Sequence, residues 1–147
     1  MSQTTWSGPL ASGDINAGEA GGPNIGFAVL SQSVLIDFGA TLVQNATTYL
    51  PFGSQIVDVI VDELVAFNSA TSATLSVGTT SGGTEYVSGV NVKTTGRKSN
   101  SYSAAQLAAM DNIGSNGTVV ATVTSVGQPT AGQVRVTYLY VQTTAND

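Results

Sequence analysis

The stretch Pro51–Phe67, PFGSQIVDVIVDELVAF, decides how the chain reads. It is the most apolar run in the sequence, yet it holds three of the nine acids, Asp58, Asp62 and Glu63. Read as a strand, its side chains alternate between two faces. Val57, Val59 and Val61 then share one face, and β-branched residues make a good inner surface. Ile56, Asp58, Ile60, Asp62 and Leu64 share the other. A plain solvated face would not hold three large aliphatic side chains. A contact face would, because they become buried on assembly while interspersed acids limit wrong pairings. Cover by a loop, or by the N-terminal part of the same chain, accounts for the pattern equally well. A bulge near Asp62 and Glu63 would switch the register.

Outward from this stretch, the sequence predicts short strands over 26–31, 33–37, 41–45, 55–66, 72–78, 84–93, 118–126 and 133–142. Turn signals separate them, among them Gly82-Gly83, which suits a hairpin, and Asn116-Gly117. The last strand alternates most clearly. Val134, Val136, Tyr138 and Tyr140 point one way, and Arg135, Thr137, Leu139 and Val141 the other. The first set is expected to face the core. One helix is predicted over 103–113, with Ser103 as N-cap and Gln106 completing a capping box. Leu107, Met110 and Ile113 fall on one of its faces, and Gly114 is a plausible stop. Some eight strands with a late helical insert predict an all-β fold, a jelly-roll-like β-sandwich. Strand order is not legible, and an immunoglobulin-like sandwich or a small barrel fits the same spacing.

Residues 1–25 differ in texture. Gly, Ser, Ala and Pro dominate, with no periodicity of 2 or 3.6. The segment reads as an extended N-terminal arm ahead of a sandwich domain at 26–147. It carries Trp6, Leu10 and Ile15, which suit either a disordered terminus or an arm that orders on a neighbouring subunit.

Composition limits the chemistry. The 147 residues suit one domain with a sizeable core. Charged residues make up 9%, against roughly 25% in an average soluble protein. The four cations, Lys93, Arg97, Lys98 and Arg135, are too few to neutralise a run of phosphates, so nucleic acid is not an expected partner. With no Cys and no His, thiol chemistry, His-based triads and the usual zinc and haem ligand sets are missing. No metal or cofactor is expected. MSQTTWSGPL has neither a basic nor an apolar region of a signal peptide. No apolar run approaches the roughly 20 residues of a membrane span.

Apparent motifs weigh little. Asp58 and Asp62 would sit roughly 13 Å apart on a regular strand, beyond the roughly 5–9.5 Å of glycosidase pairs. Asp37 or Glu85 would have to meet one of them through the fold. Thr95–Ser99 lacks the glycine and the Gly-Lys pair of a phosphate loop and reads as a cationic surface loop. Asn45 and Asn116 begin glycosylation-type tripeptides, expected by chance in a Thr-rich chain. Asp58 and Asp62 lack the spacing of a calcium loop. The chain is expected not to be an enzyme.

The run YLPFGSQIVDVIVDELVAFNSATSATLSVGTTSGGTEYVSGVNVKTTGR, followed by SAAQLAAMDNIGSNGTVVATVTS and AGQVRVTYLYVQ, resembles capsid decoration, or cement, proteins of tailed bacteriophages. The likeness covers roughly residues 40–142 and rests on texture and segment order. It implies a jelly-roll protein made in the host cytoplasm and located on the outer capsid surface of the virion. It further implies a homotrimer seated on the major capsid protein, clamping neighbouring capsomers. Trp6, Leu10, Ile15, Ile56, Ile60 and Leu64 are the expected interface residues. The alternative is a fibre- or tail-associated module binding host glycan, for which Tyr86, Tyr102 and Trp6 are the candidate aromatics.

Overall fold

The computed structural model describes residues 10–11, 25–26 and 28–142. Two short strands, β1 (Leu10–Ala11) and β2 (Ile25–Gly26), pair antiparallel with each other. Eight further strands follow: β3 (Val29–Asp37), β4 (Val43–Tyr49), β5 (Gln55–Val65), β6 (Ser72–Gly78), β7 (Val87–Asn91), β8 (Gly96–Lys98), β9 (Thr118–Val126) and β10 (Gln133–Val141). Helix α1 (Ala104–Asp111) lies between β8 and β9. Strand order is β3-β10-β5-β8 in one sheet and β4-β9-β6-β7 in the other, antiparallel throughout. The expected all-β sandwich is therefore present.

The pairing is nested. β6 pairs with β7, β5 with β8, β4 with β9 and β3 with β10. One antiparallel ribbon thus folds so that successive pairs alternate between the sheets. The added pairs β5–β10 and β6–β9 close each sheet.

The core lies between the sheets. Val59, Val61, Val134, Val136 and Tyr138 face Leu75, Val77, Val119 and Val123, and all are essentially inaccessible. Each such aliphatic or aromatic side chain contributes about 1.5–3 kcal/mol of gross burial energy. Phe67, Val92 and Met110 are buried in the same cluster. The alternation expected for β10 holds along its whole length: Val134, Val136, Tyr138 and Tyr140 are buried, while Arg135, Thr137, Leu139 and Val141 are not.

β5 departs from its expected pattern. Val59 pairs with Tyr138 and Asp58 with Leu139, but Tyr140 pairs with Ile56, so Val57 is the extra residue of a bulge. A bulge sets two residues against one and reverses the faces beyond it. Ile56 is therefore in the core at 3% exposure and Val57 is outside, the reverse of the simple alternation. A second bulge falls at Leu64, since Val134 pairs with Glu63 and Gln133 with Val65. It follows Glu63, which points into the core.

Three other differences are local. Val29–Asp37 is one strand where a break had been expected at residue 32. Residues 96–98 are an edge strand paired with β5, not a loop. Helix α1 has the predicted capping box, with Ser103 Oγ accepting from Gln106 N–H and Gln106 Oε1 accepting from Ser103 N–H. Met110 and Ile113 are buried, but Leu107 is exposed, because the helix packs by its C-terminal half.

Candidate functional site

β8 reaches only Val61–Glu63 of β5, so the edge of β5 beyond it would be left open. Side chains from the segment leading into α1 close it. Asn100 Nδ2 donates to Val59 O, and Val59 N–H is met by Tyr102 Oη at 3.1 Å. Tyr102 Oη donates to Asp58 Oδ1 at 2.6 Å, and Asp58 Oδ1 also accepts from Val59 N–H at 2.8 Å. Burial, and then the Asp58 carboxylate, push the Tyr102 phenol up. These polar side chains stand in for a missing strand and blunt an edge that would otherwise invite pairing.

The outward face of the β3-β10-β5-β8 sheet follows from the register. Strand pairing sets Arg97, Asp62, Arg135 and Leu35 in one row across the four strands. Arg97 grips Asp62 with two hydrogen bonds, Nε to Oδ1 at 2.7 Å and Nη2 to Oδ2 at 3.1 Å. Arg135 Nη2 adds a third to Oδ2 at 2.9 Å. The Arg97 hydrogen bonds foremost, with Arg135 beside them, hold the Asp62 carboxyl down at about 2. The next row holds Ile60, Thr137 and Ser33, with Ser33 Oγ and Thr137 Oγ1 2.7 Å apart. Apolar side chains accompany the charges on this face: Leu35, Leu64 and Val65 are exposed, and Ile60 and Leu139 are half-buried.

Glu63 lies on the opposite side of β5, at 3% exposure, with no hydrogen-bond partner for either carboxyl oxygen. Burial pushes its carboxyl up to about 8, against the opposing pull of the Lys98 charge. The remaining described acids are engaged within the chain. Asp37 accepts from Gln133, Glu85 from Thr79, and Asp111 from Gln55. Among the described residues no cluster of three or more acids gathers to hold a metal, and no helix is long and apolar enough to cross a membrane.

The expected interface residues separate. Ile60 and Leu64 lie on the outward face, as the contact reading needs. Ile56 does not: the Val57 bulge turns it into the core. Trp6 and Ile15 lie outside the described residues, and Leu10 pairs through its backbone with Gly26. Of the aromatics proposed for glycan, Trp6 lies outside the described residues, and Tyr86 and Tyr102 do not line a groove. Tyr86 is buried in the core, and Tyr102 is occupied at the β5 edge. A cleft of about 660 Å³ beside α1 is lined by Gly82, Glu85, Ser103 and Gln106, with no aromatic side chain.

Two aromatics were missed. Tyr49 ends β4 and Phe52 tips the following turn, each 71% exposed. An apolar residue between Pro51 and Gly53 was the available signal, since turn tips are normally polar. Arg135 was legible only as outward-facing; that it meets Arg97 on one carboxylate depends on the register.

No family model matches the chain, and neither a curated protein nor a solved structure does.

Proposed function

We propose that the chain is a virion structural protein that decorates the outer surface of a phage capsid and acts by adhesion, not catalysis. The nested strand pairing is read here as a jelly roll. The observation that carries the proposal is the outward sheet face, where Leu35, Leu64 and Val65 stand exposed beside a fixed Arg97–Asp62–Arg135 bridge. Exposed aliphatic side chains supply the apolar part of a protein–protein contact, and arginine is enriched in such contacts. The sandwich behind it supplies rigidity, so little ordering cost is incurred on docking. The resemblance over residues 40–142 supports the same reading.

In this reading the protein forms a homotrimer and binds the major capsid protein at the junction of capsomers. A cyclic trimer repeats each patch, and simultaneous engagement of several shell subunits raises avidity beyond any single contact. Neither nucleic acid nor membrane is a partner.

Mixing purified protein with capsid shells that lack decoration tests this. Co-sedimentation, trimer-shaped density on the outer surface in cryo-EM, and higher heat resistance of the shells are the expected results. A protein that stays monomeric and does not sediment with shells would refute the proposal.

A further inference from the structure

We infer that the Arg97–Asp62–Arg135 bridge is a receptor for a carboxylate presented on an apolar segment of the shell protein. The inference rests on the capsid reading and names the part of the surface that reads the partner. Two guanidinium groups share one carboxylate, leaving one net positive charge at this spot in a chain of net charge −5. Arg97 commits Nε and Nη2 to Asp62, and Arg135 commits Nη2. Arg97 Nη1 and Arg135 Nε and Nη1 have no partner among the described residues. The two side chains are 66% and 45% exposed. Asp62 holds both forks in place before a partner arrives, and a planar fork suits a second carboxylate. Leu35, Leu64 and Val65 stand exposed beside the site, and an apolar partner segment laid over them would shield the new ion pair from water.

The capsid reading makes the shell protein the source of the carboxylate. Among the described acids of a second copy, Glu63 is in the core, Asp58 and Asp62 are bound by Tyr102 and the arginines, and Asp37, Glu85 and Asp111 each accept a hydrogen bond within their own chain.

Three variants test this against undecorated shells. Leu35→Glu places a like charge beside the site without touching the core. Arg97→Gln with Arg135→Gln and Asp62→Asn removes the charges together, so that no lone carboxylate is left behind. Thr47→Glu, on the exposed face of the other sheet, is the control. The first two are expected to lose about tenfold or more in affinity, and the wild-type affinity to fall with salt. The control should bind as wild type. Equal binding by all variants overturns the inference while leaving the capsid reading intact. A fall in self-association of the free protein instead makes a second copy the occupant and also overturns it, as does binding to duplex DNA that the shell displaces.

If the wild type does not bind shells at all, the capsid reading fails, and NMR of the arginine side chains decides the receptor. The blocked peptide acetyl-Val-Leu-Glu-Leu-Val-amide should shift the Arg97 and Arg135 Nε–H signals saturably, and Leu35→Glu should abolish the shift. No shift overturns the inference.

Discussion

Asp62 and Glu63 are consecutive residues on opposite faces of β5, and their carboxyl groups are displaced in opposite directions. Asp62, gripped by Arg97 and Arg135, titrates at about 2 in place of 3.8. Glu63, buried without a hydrogen-bond partner, titrates at about 8 in place of 4.5. Stability follows from linkage. The Asp62 contribution is full above 3.8 and is lost as pH falls towards about 2. For Glu63 the unfolded chain ionises from about 4.5 while the folded chain keeps its proton, so stability falls as pH rises and levels off above about 8. That fall is on the order of a few kcal/mol. Glu63→Gln removes the ionisable group and with it the slope. Urea denaturation at acid, neutral and alkaline pH should show the variant gaining on wild type as pH rises. Parallel curves would mean that Glu63 ionises equally in both states.

Tyr102 serves the open edge of β5 through its hydroxyl. Tyr102→Phe keeps the ring and removes the second partner of Val59 N–H and the hydroxyl donor to Asp58 Oδ1, leaving these two groups only each other. Leaving such groups short costs about 1–3 kcal/mol. Tyr49→Phe is the comparison, since Tyr49 is 71% exposed and surface changes usually stay within about 0.5 kcal/mol. The two midpoints in urea should therefore separate. If Tyr102→Phe unfolds with Tyr49→Phe, the hydroxyl does not support the edge.

What could be read from the residues divides along a physical line. Alternation in β10 was legible because Gln133, Arg135 and Thr137 interleave with Val134, Val136 and Tyr138. The capping box was legible because it is local, three residues from Ser103 to Gln106. The faces of β5 were legible only in part: the bulge considered near Asp62 and Glu63 falls at Leu64, but Val57 is bulged by the register with β10 and nothing in its own chemistry marks it. β8 was not, because Gly-Arg-Lys has no strand propensity and is extended only by pairing with Val61–Glu63. The charged bridge joins residues far apart in the chain, and only the pairing of β5 with both β8 and β10 brings them together.

Helix α1 depends on its start. Ser103 Oγ and Gln106 Oε1 each accept a backbone N–H that would otherwise be unsatisfied. Ser103→Ala should cost about 1 kcal/mol. The first turn carries no acid to compensate. Amide hydrogen exchange should quicken at 104–107 while β9 and β10 keep their protection. An unchanged rate across the first turn would show that packing of Met110, not the cap, holds the helix.

Gly117 and Gly89 both have positive φ, at 64° and 66°, yet their surroundings differ. A Cβ on Gly89 would meet nothing within 4 Å. On Gly117 it would sit 2.5 Å from Leu50 O and 3.1 Å from the Phe52 ring. The same backbone is held by a hydrogen bond from Leu50 N–H to Gly117 O at 2.8 Å, so neither side can retreat without breaking it. Gly89→Ala should therefore cost only the left-handed strain, about 1–2 kcal/mol. Gly117→Ala should cost that plus the displacement of the Pro51–Gly53 turn, and so exceed it clearly. Chemical denaturation of the two variants measures the difference directly. Equal losses would mean that the turn carrying Phe52 yields freely, and that its exposed ring is not held in one position.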